Sequence, residues 1–232
     1  MKLKILSWNI WIDGFLEKWE DFLRTSDADI IGLQEVKDDD VERDIIAVLT
    51  KLGYNHTFAR TEQVWDGKAY RHGPAIFSKF PIITSEKIQL ETGDGERAAA
   101  YAQIDANGTT LHVFSTHLIH THQQPSEQQE AQTNKLLSKL PQKRVIVMGD
   151  FNATPESASI QAMKMMLSDT DRSSSPTWSM YPEGCGKCNP QGIDTRLDYI
   201  FVSKDIKTSL FEVGKSDGSD HLPISVDRKS VV

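Results

Sequence analysis

The sequence predicts an α/β protein in which two mixed β-sheets pack together and helices cover their outer faces. Apolar runs of strand length alternate with stretches of helical period along the whole chain. The predicted strands outnumber the predicted helices about two to one, which disfavours a single doubly wound parallel sheet. In the middle of the chain, the Asn107-Gly108 pair joins two alternating segments and predicts a β-hairpin, so part of one sheet is antiparallel.

The individual elements follow from the hydrophobic pattern. Strands are predicted at 4–10, 29–36, 75–82, 99–106, 109–118, 144–151, 197–203 and 223–228. Helices are predicted at 17–26, 41–53, 126–140 and 156–169. Ser126 followed by Gln129 matches a capping box, and Gly53 matches a helix stop. The segment 171–195 is rich in Ser, Pro and Gly, which predicts an irregular loop rather than a domain boundary.

Length and composition are those of an ordinary globular domain. The chain has 232 residues, of which 38% are hydrophobic and 25% charged, and it contains no linker long enough to divide domains. We therefore expect residues 1–232 to form a single domain, and we expect a monomer. No apolar run reaches the length of a membrane-spanning helix, and Asn9 and Asp13 interrupt any secretory signal. The sequence thus predicts a cytoplasmic protein without a transmembrane segment.

The charge balance bears on the class of partner. The net charge is -7, from 33 acidic and 26 basic residues. An acidic chain has no general attraction for a phosphate backbone, so nucleic acid is not the favoured partner. A metal site in a carboxylate-lined cleft would account for part of the acidic excess.

The two cysteines, Cys185 and Cys188, form an isolated CxxC motif. A structural zinc site needs a second pair, unless a nearby His or Asp completes it, and a redox motif would be expected at the start of a helix. The flanking Gly184, Gly186 and Pro190 place the motif in a loop. We interpret the pair as two loop thiols or an incidental local disulfide.

Several predicted strands end in polar side chains that handle metals and protons. The apolar run from Val145 to Met148 turns abruptly polar, and side chains two apart on a strand share a face, so Asp150 and Asn152 are expected together at its end. Singly, such residues also fit turns, solvated strand ends or core histidines. Their recurrence predicts one cleft over the sheet edges. The others are Asn9, Glu35, His117, Asp198, Asp220 and His221.

Short motifs containing these residues resemble a known superfamily. In order along the chain they are WN (8–9), LQEV (33–36), STHL (115–118), GDFN (149–152), RLDYIF (196–201) and SDHLPI (219–224). Each motif is short, but six in order from about residue 4 to 227 closely resemble the endonuclease/exonuclease/phosphatase superfamily. The resemblance implies a four-layered α/β sandwich of two sheets flanked by helices, and a metal-dependent phosphoric ester hydrolase.

The resemblance also implies a metal site. A hard divalent ion prefers oxygen ligands, and one or two carboxylates suffice to hold it. We expect Mg2+, with Mn2+ as the alternative, bound by Glu35 with Asn9 beside it. Asp220 is expected to contribute directly or through water.

Five further positions match the superfamily's catalytic residues. The resemblance implies that Asp150 activates or orients the attacking water and that Asn152 positions this water and the phosphate. His221, held by Asp198, would donate to a non-bridging oxygen or act as acid or base. His117 would stabilise the transition state. Which group is the general base and which is the acid is left open.

Other residues have two interpretations. His72 and Arg97 lie at positions that face the cleft in the superfamily, so they would bind the substrate phosphate, or else they are solvated surface residues. His120 and His122 could form a metal pair, but a loop after a strand end is the simpler interpretation.

The expected function is Mg2+-dependent hydrolysis of a phosphodiester or phosphomonoester in a small-molecule or lipid-like substrate. The alternative is a DNA or RNA nuclease of the same superfamily, including the abasic-site type, although those endonucleases have a tyrosine-type residue where this chain has His117. The basic residues near the predicted cleft are few, which disfavours a duplex track: Arg71, Arg97, Arg196, Lys68 and Lys187. A non-catalytic phosphate-binding module is a third, minor alternative.

Overall fold

The computed structural model describes residues 2–65, 67–93, 95–178 and 193–228, and within these ranges the chain forms two β-sheets and four α-helices. The strands are β1 (Leu3–Asn9), β2 (Ile30–Val36), β3 (Asn55–Phe58), β4 (Thr61–Trp65), β5 (Lys68–Ser78), β6 (Ile82–Glu91), β7 (Arg97–Ala106), β8 (Thr109–His117), β9 (Val145–Asp150), β10 (Ser168–Asp169), β11 (Asp198–Val202), β12 (Thr208–Val213) and β13 (Ile224–Arg228). The helices are α1 (Leu16–Ser26), α2 (Ile45–Lys51), α3 (Glu127–Leu137) and α4 (Ala158–Met166).

Both sheets are mixed. The first has the order β12-β13-β1-β2-β5-β3, with β4 paired to β5, and the second has the order β10-β11-β9-β8-β7-β6. The pairs β1–β2 and β8–β9 are parallel, while their neighbours are antiparallel. Because parallel strands end at the same edge, each sheet brings two successive strand ends together.

Buried apolar side chains divide the molecule into layers. The central core lies between the sheets and combines residues of both, such as Ile5 and Ile76 with Val113 and Met148. The outer face of the first sheet packs on α1 and α2, through Trp19, Leu23, Ile45 and Leu49. The outer face of the second sheet packs on α3 and α4, through Leu136, Ile160 and Met163. This helix–sheet–sheet–helix order confirms the predicted four-layered sandwich.

Capping residues set the helix boundaries more tightly than periodicity does. Ser126 accepts a hydrogen bond from the Gln129 N–H at 3.3 Å, as the capping box predicts. The predicted helix 41–53 is divided at Asp44, whose carboxylate caps α2 after a separate 3-10 turn at Val41–Arg43. Ser157 caps the start of α4, and β10 follows its end, so α4 is shorter than the predicted 156–169.

Five strands were not predicted from the sequence: β3, β4, β6, β10 and β12. Most of the first half of β6 is exposed, and β12 alternates between partly buried and exposed side chains. Both lie at the edge of their sheets, where one side chain in two faces water and the apolar signal is weak.

Cys185, Cys188 and most of the predicted loop at 171–195 lie outside the described residues. Among the described helices, none has the length and apolar character needed to cross a membrane. The assignment of residues 1–232 to one domain stays a prediction.

Candidate active site

Strand register brings the predicted residues of the second sheet side by side. His117 is the partner of Asp150 in the parallel β8–β9 pair, and Asp198 is the partner of Asp150 in the antiparallel β11–β9 pair. On the first sheet, Asn9 ends β1 and lies opposite Gln34, next to Glu35. The two sheet edges meet where Asn9 Nδ2 donates to Asp150 Oδ2 at 3.0 Å. The polar side chains predicted at the strand ends therefore lie together, and a cleft over them stays a prediction.

Asp150 is the centre of the cluster. Its side chain is 1% exposed, and Oδ1 accepts a hydrogen bond from the Asn152 N–H at 2.8 Å. Oδ2 lies 3.5 Å from His117 Nε2 and 3.6 Å from His221 Nε2. Burial raises the pKa of Asp150 to about 7, against the opposing effect of His221. One carboxylate oxygen thus faces two imidazoles and an amide.

Two residues of the GDFN segment, Gly149 and Asn152, have positive φ angles that their residue types tolerate. Gly149 has φ 149°, and a Cβ there would lie 2.0 Å from the Thr116 carbonyl oxygen, so only glycine allows β9 to approach β8 this closely. Asn152 has φ 49°, a left-handed conformation that Asn tolerates better than most residues. Its Nδ2 donates to the Leu118 carbonyl at 3.0 Å, and this fixes the amide plane.

His221 is held on both sides by carboxylates. Its Nδ1 lies 2.8 Å from Asp198 Oδ2, and its Nε2 points to Asp150. Burial lowers the pKa of His221, but Asp198 and Asp150 outweigh this effect and raise the pKa well above the usual value. The Trp8 indole N–H donates to the His221 carbonyl at 2.8 Å and anchors the backbone. The His–Asp pairing expected from the resemblance is thus present in the geometry.

Thr177 supports this pair and was missed by sequence reasoning. Its hydroxyl donates to Asp198 Oδ2 at 2.7 Å and accepts from the N–H groups of Leu197 and Asp198. Trp178, the next residue, packs its ring 6.3 Å from that of His221. Both residues come from an irregular segment without a motif, so no sequence signal identified them.

Glu35 reaches this cluster of polar side chains through a β-bulge. The register between β2 and β5 shifts between Leu33 and Val36, and Glu35 has φ 61°. A bulge of this kind re-aims a side chain at the end of a strand. Glu35 Oε1 accepts from Asn9 Nδ2 at 3.1 Å, and Oε2 accepts from the Ile12 N–H at 2.7 Å.

The carboxylates of Glu35 and Asp220 offer the oxygen donors that a hard divalent ion prefers. Burial raises the pKa of Asp220 to about 6, although His221 opposes this shift, and the neighbouring charge of Glu35 adds to it. Asn9 offers Oδ1 as a further oxygen donor: this atom accepts from the Trp11 N–H at 3.0 Å, which leaves its second lone pair for a metal ion.

A different group has the spacing of a metal site. Within the described part of the chain, Asp150, Asp198 and His221 place ligand atoms within 4.8 Å of one another. Both nitrogens of His221 already face carboxylate oxygens of this group. An imidazole between two carboxylates is arranged to hold a proton, whereas Mg2+ prefers oxygen donors alone.

His72 and Arg97 are buried beside His117, which contradicts a solvated surface role for either. They are 1% and 6% exposed, and the rings of His72 and His117 are 6.3 Å apart. Burial lowers the pKa of Arg97 to about 10, although Glu35 and Asp150 oppose this effect. Burial, together with the charge of Arg97, also lowers the pKa of His117 well below its usual value, so this imidazole is neutral.

His120 and His122, which follow β8, form hydrogen bonds with their neighbours and with each other. His120 Nδ1 lies 2.8 Å from Asn152 Oδ1, and His120 Nε2 lies 3.2 Å from His122 Nδ1. His120 therefore orients the side chain of Asn152.

Arg196 is occupied by structural contacts. Its guanidinium donates to both carboxylate oxygens of Asp169, lies 3.6 Å from Asp171 and stacks 4.2 Å above the Tyr199 ring. Because these carboxylates already pair with it, Arg196 is not available to a substrate phosphate.

A four-layered sandwich with this set of His, Asp and Asn side chains at its strand ends defines a phosphoester hydrolase. The chain matches the family model described as the Endonuclease/Exonuclease/phosphatase family over residues 6–221, and it belongs to this family. The family depends on divalent metal ions and includes phosphatases and nucleases, all of which hydrolyse phosphoesters.

Solved structures share the fold at low sequence identity. An endonuclease/exonuclease/phosphatase from Beutenbergia cavernae is 21% identical, with a TM-score of 0.79, and the match covers 98% of this chain and 71% of the Beutenbergia chain. The mannosyl-6-phosphatase Bt3783 of Bacteroides thetaiotaomicron is 18% identical with a TM-score of 0.70, covering 98% and 100%. ANGEL2, a 2',3'-cyclic phosphatase solved with adenosine-2',3'-vanadate, is 15% identical with a TM-score of 0.77, covering 98% and 95%. No curated protein sequence matches the chain significantly.

Proposed function

We propose that the protein hydrolyses a phosphoester bond of a small substrate, with a divalent metal ion, Mg2+ or alternatively Mn2+, bound at Glu35 and Asp220. The observation that carries this proposal is the position of Asp150 Oδ2, which faces Asn9 Nδ2, His117 Nε2 and His221 Nε2 within 3.6 Å. Such a carboxylate can orient a water molecule while two imidazoles contact the phosphoryl group.

The residues divide the work of hydrolysis between them. Asp150 holds the attacking water, and Asn152 positions this water and the phosphate. His117 and His221 hydrogen-bond to the phosphoryl oxygens, where charge increases in the transition state. Asp198 fixes the orientation of His221 by holding Nδ1, so that Nε2 remains directed into the cleft.

The bound metal ion would neutralise negative charge on the phosphoryl oxygens. Glu35 and Asp220 would hold it with oxygen donors, and Asn9 would add its Oδ1. Asn9 Nδ2 donates to Glu35 and Asp150 and so holds the two sheet edges together.

The distribution of basic side chains supports a substrate with one reacting phosphate. Arg97 is buried beside His117, and its Nε has no hydrogen-bond partner among the described residues. Arg71 is paired with Glu62, and Arg196 with Asp169. A nuclease would need several cations along a track for the backbone. The phosphatase names of two similar structures agree with a small phosphoester.

The test is a screen of purified protein for release of phosphate or alcohol from phenyl phosphate, sugar phosphates, nucleotides, bis-p-nitrophenyl phosphate and phospholipids, alongside plasmid and abasic-site DNA. Each assay is run with Mg2+, Mn2+ and excess EDTA. We expect metal-dependent turnover of at least one small phosphoester. DNA cleavage at physiological salt without activity on small phosphoesters would contradict the proposal and favour the nuclease. The monomeric state and the cytoplasmic location stay predictions.

A further inference from the structure

A cavity of about 320 Å³ lies beside the catalytic residues, between the N-terminal ends of α3 and α4. Ser126 and Ser157, the N-caps of these helices, both line it. Asn152 also lines it, so the cavity shares a wall with the proposed phosphate site. A volume of this size suits a small ligand or one part of it.

Two polar side chains on the cavity wall lack hydrogen-bond partners in the described part of the chain. Ser159 is 2% exposed, and its hydroxyl has no partner. Neither the oxygen nor the nitrogen of the Gln123 amide has one, although both atoms are buried. Buried polar groups are almost always paired in folded proteins, so these groups indicate a polar ligand with both donors and acceptors.

The charges around the cavity disfavour ionic ligands. Glu130 and Glu156 line it, and no Lys, Arg or His is among its described lining residues, so a second phosphate or carboxylate is disfavoured. A cation is disfavoured by the positive ends of the two helix dipoles, which meet here. No aromatic side chain is among those lining residues either, and stacking of a nucleobase or caging of a quaternary ammonium requires one.

We propose that this cavity binds the uncharged, hydroxyl-rich part of the substrate, as in a phosphorylated sugar or polyol. The inference rests on the proposed function and adds the class of the group esterified to the phosphate. Hydroxyl groups both donate and accept, so they satisfy the Gln123 amide, the Ser159 hydroxyl and the acidic side chains together. Asn152 then joins the two halves of the site, since it lies on the cavity wall and beside Asp150.

The first test fills the cavity from a residue outside the catalytic set. Ala158 is exposed, begins α4 and lines the cavity, so Ala158→Phe occupies the space without disturbing the core. Met165→Phe is the matched control, because Met165 lies on the same helix, is 75% exposed and does not line the cavity. With glucose 6-phosphate, glycerol 3-phosphate and inositol 1-phosphate as substrates, we expect Ala158→Phe to raise KM about tenfold for the substrate preferred by the wild type. The kcat/KM for phenyl phosphate should stay within about twofold of wild type in both variants.

The second test separates binding from stability. Because the Ser159 hydroxyl has no partner, Ser159→Ala should leave Tm unchanged or raise it. It should nevertheless raise KM for the preferred polyol phosphate and leave phenyl phosphate unaffected. A fall in Tm without a change in KM would show that the hydroxyl has only a structural role and would contradict the proposal.

Binding of free polyols distinguishes failure of this inference from failure of the proposed function. Saturation-transfer NMR with methyl glucoside, inositol and glycerol needs no catalysis. We expect at least one of these polyols to give a saturation-transfer signal with the wild-type protein and with Met165→Phe. We expect no polyol to give a signal with Ala158→Phe. Absence of binding to wild type, or equal binding to both variants, would overturn the cavity assignment. Absence of any phosphoester hydrolysis, with polyol binding intact, would overturn the proposed function alone.

Discussion

His221 Nδ1 lies 2.8 Å from Asp198 Oδ2 inside the protein, and the other ring nitrogen of His221 faces Asp150 at 3.6 Å. The second contact depends on the first, because the bond to Asp198 sets the rotation of the ring. If His221 contacts the phosphate, removing the charge of Asp198 should act through His221 alone.

Asp198→Asn is therefore expected to lower kcat by on the order of 10²-fold without changing the fold. His221→Ala should lower kcat at least as much, and the double variant should be no slower than His221→Ala. The measurement is a double-mutant cycle on kcat with circular dichroism as the folding control. Strictly additive effects would show that Asp198 does not position His221.

Thr177 supplies a further test of the same arrangement. Its hydroxyl donates to Asp198 Oδ2 and accepts from two backbone N–H groups. Thr177→Val removes these bonds at nearly constant volume, so kcat should fall about tenfold. Thr177→Ser keeps the hydroxyl and should restore most of the activity, and a Ser variant as slow as Val would indicate that only packing matters.

Glu35→Gln tests the metal site. The amide keeps the size of the side chain but removes the charge, so a higher Mg2+ concentration should be needed for half-maximal activity, and turnover at fixed Mg2+ should fall sharply. Glu86→Gln is the control, because Glu86 is an exposed carboxylate on β6. Mg2+ titrations that coincide for wild type and Glu35→Gln would place the metal elsewhere, with Asp150, Asp198 and His221 as the next candidate group.

Gly149→Ala should destabilise the fold rather than alter chemistry selectively. The new Cβ would meet the Thr116 carbonyl at 2.0 Å, at a backbone φ of 149°. We expect a loss of more than about 2 kcal/mol in the free energy of unfolding by urea. Gly95→Ala is the matched control, since its Cβ would have nothing nearer than 3.9 Å, and it should stay within about 0.5 kcal/mol of wild type.

Arg97 should bind phosphate as a point of positive charge beside His117. Arg97→Met removes the charge and keeps most of the apolar length, so we expect KM to rise about tenfold and inhibition by inorganic phosphate to weaken in parallel. Arg97→Lys should lie between Met and wild type. Unchanged phosphate inhibition in Arg97→Met would limit Arg97 to a structural role.

The extent to which the sequence predicted this structure differs between core and edge. The central strands were predicted because they are buried on both faces and therefore appear in the sequence as continuous apolar runs, as at 145–148 in β9. The strands β6 and β12 were missed because exposed side chains interrupt their pattern. The same difference explains the helix ends, which Asp44 and Ser157 set through single hydrogen bonds that periodicity does not detect.

The site shows a similar division. Residues at strand ends, such as Asp150 and His117, were predicted because a polar residue after an apolar run is visible in sequence and the register then places them together. Thr177 and the bond between His120 and Asn152 were not predicted, since they depend on how loops fold back over the sheet edge. The bulge at Glu35 also lies beyond pattern reading, because it is visible only in the strand register.

The most direct test of the proposed role of Asp150 is the rate of metal-dependent hydrolysis by Asp150→Asn. Asn keeps the shape of Asp150 and removes the charge that orients water between the two imidazoles. With the small phosphoester that wild type turns over best, at saturating Mg2+, we predict a fall in kcat of about 10³-fold or more, with Tm preserved or raised because a buried charge is lost. A folded Asp150→Asn protein that retains wild-type kcat would contradict the account.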